Sequence, residues 1–121
     1  MRLYALRGAV TVTANDAEAI LEATEELMRE LLDRNELGAE GLVSCLFTLT
    51  EDLDAEFPAV AARRIGLAGV PLLCAREIPV PGAMPRVIRV LIHCYLPENS
   101  TPQHVYLRDA QRLRLDLAGA Q

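Results

Sequence analysis

A chain of 121 residues, 51% apolar and 24% charged, holds one domain around one modest core. A net charge of −5 without any basic run argues against a nucleic-acid surface. No apolar stretch approaches the ~20 residues that span a bilayer, and MRLYALRGAV lacks a signal-peptide layout, so cytoplasmic residence is the expectation.

Cys45, Cys74 and Cys94 are an odd number at wide spacing with no CxxC pair, which argues against a disulfide framework or a zinc site. All twelve basic residues are arginine, for which a coding bias is the plain explanation. The consequence for chemistry holds regardless. Any cation in a site here is a guanidinium, which binds carboxylates bidentately and cannot form a Schiff base.

Residues 2–13, RLYALRGAVTVT, are rich in strand formers, with Gly8 marking either a bulge or a close backbone approach. Arg7 is either a solvent-facing strand residue or an anion ligand. Asn15 followed by Glu18 has capping-box spacing. Ile20, Leu21, Thr24, Leu27, Met28, Leu31 and Leu32 then recur at helical spacing opposite an acidic face. A long amphipathic helix over about 15–34 follows, stopping near Asn35 and Gly38. LVSCLFTL (42–49) reads as an apolar strand, and TEDLDAEFP as an acidic loop. Glu51, Asp52 and Asp54 in that loop lack the glycine and ligand rhythm of a calcium site. Pro58 suits the first turn of a short helix, AVAARR, whose Arg63 and Arg64 favour its C-terminal end.

The segment LLCAREIPVPGAMPRVIRVLIHCY (72–95) reads as a short strand with Cys74 and Glu77, a Pro/Gly loop, and a longer strand with Arg89. In that strand Ile88, Val90, Ile92 and Cys94 form one face, and Val87, Arg89, Leu91, His93 and Tyr95 the other. An arginine in so apolar a strand is costly unless it meets an anion. PENSTP then forms a loop before HVYLRDAQRLRLDL, and the last residues, AGAQ, are expected to fray. One long helix, about five strands and a short helix make an α+β domain, a mixed sheet with the long helix on one face. The other face, being apolar, is expected to be buried by further copies of the chain.

The inventory excludes much. There is no GxSxG elbow, no phosphate loop, no dinucleotide fingerprint, and no base placed beside Cys74. Several arginines, one glutamate, a tyrosine and a cysteine remain. Such a set suits an anion-binding module or a reaction that needs only orientation and fixed charge.

LRGAV (6–10), FPAVAAR (57–63), PLLCAREIPV (71–80), PRVIRVLI (85–92) and HVYL…LRLDL (104–117), in this order, resemble the monofunctional AroH-class chorismate mutases. The resemblance implies a homotrimer, a pseudo-α/β barrel of facing sheets with helices outside, and active sites in clefts between subunits. It implies the Claisen rearrangement of chorismate to prephenate in aromatic amino-acid biosynthesis, without cofactor, metal, membrane or nucleic acid. Arg89 matches the arginine that donates to the ether oxygen, and Glu77 the carboxylate facing the ring hydroxyl and developing ring cation. Arg7 and Tyr106 match groups that hold a substrate carboxylate, and Cys74 a contact near the ring hydroxyl. Phe57, Ala59 and Arg63 would come from the neighbouring subunit, with Leu73 in place of a polar residue and Leu113 and Arg114 closing the site. Val60 stands where many relatives have lysine, LRLDL lacks their proline, and PGAMP is a shortened loop. A trimeric carboxylate-binding module or an enamine/imine deaminase-like trimer would use the same arginines. Glu77 beside Arg89 disfavours the former, because a carboxylate weakens anion binding.

Overall fold

The computed structural model describes residues 1–118, so the fraying expected at 118–121 falls, but for Ala118, outside the described residues. Five strands form one mixed sheet: β1 (Arg2–Thr11), β2 (Leu42–Leu49), β3 (Leu72–Arg76), β4 (Val87–Leu96) and β5 (Val105–Leu107). Their spatial order is β3-β2-β4-β1-β5. Strand β4 runs antiparallel to both β1 and β2, while β3 and β5 add parallel edges to β2 and β1. The helices are α1 (Ala17–Arg34), α2 (Pro58–Arg64) and α3 (Gln111–Ala118). The last of these was not legible as a helix in LRLDL, where leucine alternates at 113, 115 and 117.

Helix α1 begins one residue later than the capping-box reading. Asp16, in extended backbone, is the N-cap and accepts from Ala19 N–H. Asn15 instead ties down the acidic loop, its side chain bonding Asp54 and the backbone N–H groups of Asp54 and Ala55. At the other end Asn35 caps α1 and donates from Nδ2 to Leu31 O. It also exchanges hydrogen bonds with the Gln103 backbone, fixing the approach to β5.

Alternation sorts the sheet into two faces. Leu6, Val10, Phe47, Ile88 and Ile92 point inward and pack under Ile20, Leu27, Met28 and Leu31 of α1, with Ala59 and Ala62 of α2 in the same cluster. Gly8 belongs to this face. A Cβ there would lie 2.8 Å from Leu31 Cδ1 and 3.1 Å from Leu27 Cδ1, so Gly8 marks a close approach of helix to sheet. The bulge alternative does not hold at Gly8, because the β1–β4 ladder is unbroken through it; the irregularity lies at Leu42/Ser44 of β2. Among the described residues no helix covers the middle of the outward face, and Leu3, Leu46 and Tyr95 are exposed. No helix among the described residues is long and apolar enough to cross a membrane.

Candidate active site

On the outward face the register lines up one row across four strands. Thr48 of β2 pairs with Arg89 of β4, Arg89 with Ala9 of β1, and Ala9 with Tyr106 of β5. The adjacent row pairs Leu46 with Leu91 and Leu91 with Arg7. Together these residues line a cleft of about 480 Å³. Ala9 is the small residue of the row. It packs with Val87, Ala110 and the half-buried Met84 and Leu113 in a second apolar cluster, leaving space between Arg89 and Tyr106.

Glu77 lies one residue past the end of β3, yet its N–H still bonds Leu49 O at 2.8 Å, which sets the carboxylate at the rim of the row. Thr48 Oγ1 donates to Glu77 Oε2. Arg89 Nε lies 3.3 Å from the same oxygen, close enough for charge pairing but not aligned for a hydrogen bond. Its buried N–H therefore has no partner among the described residues. An unmatched guanidinium donor at the floor of a cleft is costly unless a ligand completes it.

His104, just before β5, supports this row from the side. Arg7 N–H donates to His104 Nδ1 at 3.0 Å, so that nitrogen carries the lone pair and the ring proton sits on Nε2. Burial, then the charges of Arg7 and Arg114, holds the imidazole below its ordinary value of 6.5. The folded chain therefore resists the proton that the unfolded chain accepts. Stability from this group is full above the unfolded value and is lost as pH falls through it toward the lower folded value. The urea midpoint is expected to fall between pH 7.5 and 5. It should fall less in His104→Gln, which keeps an acceptor without titrating. Equal slopes would show that His104 carries none of the effect.

Cys74 does not join this cleft. It pairs with Phe47, so its side chain takes the helix-covered face of β3. There it lines a separate concavity of about 330 Å³ that also holds Phe57. Phe57 is 66% exposed and Leu73 is 60% exposed, both at the β3 edge of the sheet. Ala59, on the buried face of α2, packs into the core and does not reach the cleft. Arg63 is exposed and makes no ion pair among the described residues, whereas Arg64 meets Glu18 at 3.3 Å and Glu25 at 3.8 Å. Leu113 packs against the Ala9 cluster, and Arg114 is exposed with its charge felt at His104. Cys45 and Cys94 are buried; burial, reinforced by Cys94, pushes the Cys45 thiol up to about 11, leaving it protonated and inert. Among the described residues no group of three His, Cys, Asp or Glu could hold a metal ion. In the acidic loop, Asp52 instead accepts from the Arg86 N–H and from Thr50 Oγ1.

Thr48 is the site residue that the sequence did not single out, since LVSCLFTL reads only as an apolar run. Its parity with Leu46 placed it outward, but only the register puts it opposite Arg89.

Comparison with known proteins converges on one family. The family model for chorismate mutase type I matches residues 3–117. The chain is 54% identical to chorismate mutase AroH of Thermus thermophilus over 96% of its own length and 97% of that protein. It is 36% identical to chorismate mutase AroH of Bacillus subtilis, covering 98% of this chain and 94% of that one. The fold superposes on a solved chorismate mutase from Clostridium thermocellum with a TM-score of 0.88 at 41% identity, covering 90% of this chain and 98% of that one. With the family model spanning nearly every residue, the chain belongs to the type I chorismate mutases.

Proposed function

We propose that the chain isomerises chorismate to prephenate, within aromatic amino-acid biosynthesis in the cytoplasm, by holding the substrate compact and stabilising charge. The ether C–O bond breaks ahead of C–C bond formation, so negative charge grows on the ether oxygen and positive charge on the ring. The observation that carries this reading is the Arg89 N–H, without a hydrogen-bond partner among the described residues, 3.3 Å from Glu77 at the edge of the cleft. A donor and an acceptor already fixed need no reorganisation as charge separates. Arg7 and Tyr106, on the same cleft wall, hold a substrate carboxylate in the reactive conformer. No covalent intermediate, metal or cofactor enters.

The cleft is open on its outer side in one chain, and the apolar outward face is exposed. A homotrimer, its sheets facing one another in a pseudo-α/β barrel, covers that face and completes the cleft. The β3 edge of a neighbouring copy, with its α2, supplies what a single chain lacks: exposed Phe57, Leu73 and Arg63, and Cys74 in the concavity it shares with Phe57. Ala59 then acts by packing α2 beneath Phe57, and Leu113 and Arg114 of α3 close the cleft.

The test is loss of chorismate absorbance with purified protein in EDTA, beside its native mass. Turnover by a particle of three 13.3 kDa chains supports the reading. A folded trimer without turnover would make the Arg89–Glu77 pair a binding site for some other carboxylate. An active monomer would remove the shared cleft.

A further inference from the structure

Three groups converge on Glu77, and they do not treat its two carboxylate oxygens alike. Thr48 Oγ1 donates to Oε2, and Arg89 Nε approaches the same oxygen at 3.3 Å without hydrogen-bond alignment. Among the described residues Oε1 accepts no hydrogen bond. Glu77 is also weakly held otherwise. It follows the last residue of an edge strand and leads into the turn-rich segment 78–86, with its own N–H to Leu49 O as its anchor to the sheet.

A glutamate in that position, next to a guanidinium with a free donor, would ordinarily swing to make a full charge-assisted hydrogen bond. Doing so would occupy the Arg89 N–H and turn both carboxylate oxygens toward the arginine. Thr48, on the strand between those that carry Glu77 and Arg89, prevents this by supplying Oε2 with a neutral donor of its own. Thr48 is itself rigid: a β-branched side chain has few χ1 choices, and its backbone is paired on both sides, to Arg89 and to Ala75.

We propose that Thr48 is a positioning residue that holds the Glu77 carboxylate short of a closed ion pair, leaving the half-exposed Arg89 guanidinium and Glu77 Oε1 to meet the substrate. This rests on the reading of Glu77 as a group that meets the substrate. Thr48 acts through Glu77, so its effect belongs in kcat more than in KM.

The experiment is a double-mutant cycle with chorismate as substrate: Thr48→Val, Thr48→Ser, Glu77→Ala, and Thr48→Val combined with Glu77→Ala. Thr48→Val keeps the side-chain shape and removes the donor, and is expected to lower kcat by about 10-fold with KM changed by no more than about threefold. Thr48→Ser restores the hydroxyl and should return kcat to within about threefold of wild type. In the Glu77→Ala background Thr48→Val should alter kcat by less than about twofold. Thermal midpoints within a few degrees of wild type establish that the variants are folded.

An equal fold-loss from Thr48→Val in both backgrounds would overturn the proposal, because Thr48 would then act independently of Glu77. A Thr48→Val enzyme with wild-type kcat, alongside a strongly impaired Glu77→Ala, would overturn it while leaving Glu77's role intact. Wild-type kcat in Glu77→Ala would instead remove the underlying reading of Glu77, and the proposal with it.

Discussion

Arg89→Ala is expected to lower kcat by ~10²–10³, the usual cost of deleting one preorganised donor to developing charge. Arg63→Ala is expected to act chiefly on KM. A charge-assisted bond to a ground-state carboxylate contributes roughly 1.5–3 kcal/mol to substrate and transition state alike. The contrast follows from placement. Arg89 is fixed near the start of β4 between two paired strands, its Nε buried beside Glu77. Arg63 is near the exposed end of α2 with nothing described to hold its side chain. A group already in position lowers the barrier; one that must be ordered by the ligand mostly contributes binding. Steady-state kinetics on chorismate decides it, and comparable kcat losses in the two variants would reverse the assignment. Arg89→Lys is expected to fail almost as badly as Arg89→Ala. A lysine ammonium would lie beyond the Nε position and cannot present the planar fork.

The sequence carries the elements of this site better than it carries their assembly. Alternation in VIRVLIHCY separates the buried face from the one bearing Arg89, because a strand's period of two is visible residue by residue. Pro58 and the length of α2 are legible for a similarly local reason. What decides the cleft is register, a non-local quantity. Nothing in residues 42–49 says that Thr48 stands opposite Arg89, or that Ala9 separates Arg89 from Tyr106. The position of Cys74 was within reach of the sequence. It lies three residues before Glu77, an odd separation, so an extended chain turns the two to opposite faces. Residue spacing alone made them look like one group, and the sheet divides them between two concavities. The N-cap was ambiguous for a different reason. Asn15 and Asp16 are both good caps, and the choice falls to Asp16 because the loop at 54–55 claims the Asn15 side chain.

Mixing Arg89→Ala with Arg63→Ala protein is expected to restore activity that neither has alone at chorismate well below KM. Each variant breaks a different half of the proposed cleft. In a trimer of Arg89→Ala chains every site lacks the donor at its floor, and in a trimer of Arg63→Ala chains every site lacks the cation from its neighbour. A mixed trimer contains sites where an intact Arg89 meets an intact Arg63. With equal amounts and random assembly, about a quarter of all sites are intact, because each must draw the right chain on both sides of one cyclic interface. The two proteins should be unfolded and refolded together, since an apolar face as broad as that bearing Leu3, Leu46 and Tyr95 exchanges subunits slowly once buried. Recovery near a quarter of wild-type kcat/KM fits a cleft closed by two chains. If exchange is confirmed by mass and no activity returns, Arg63 and Arg89 serve the same chain. The exposed Phe57–Leu73 edge would then need a purpose other than completing a neighbour's site.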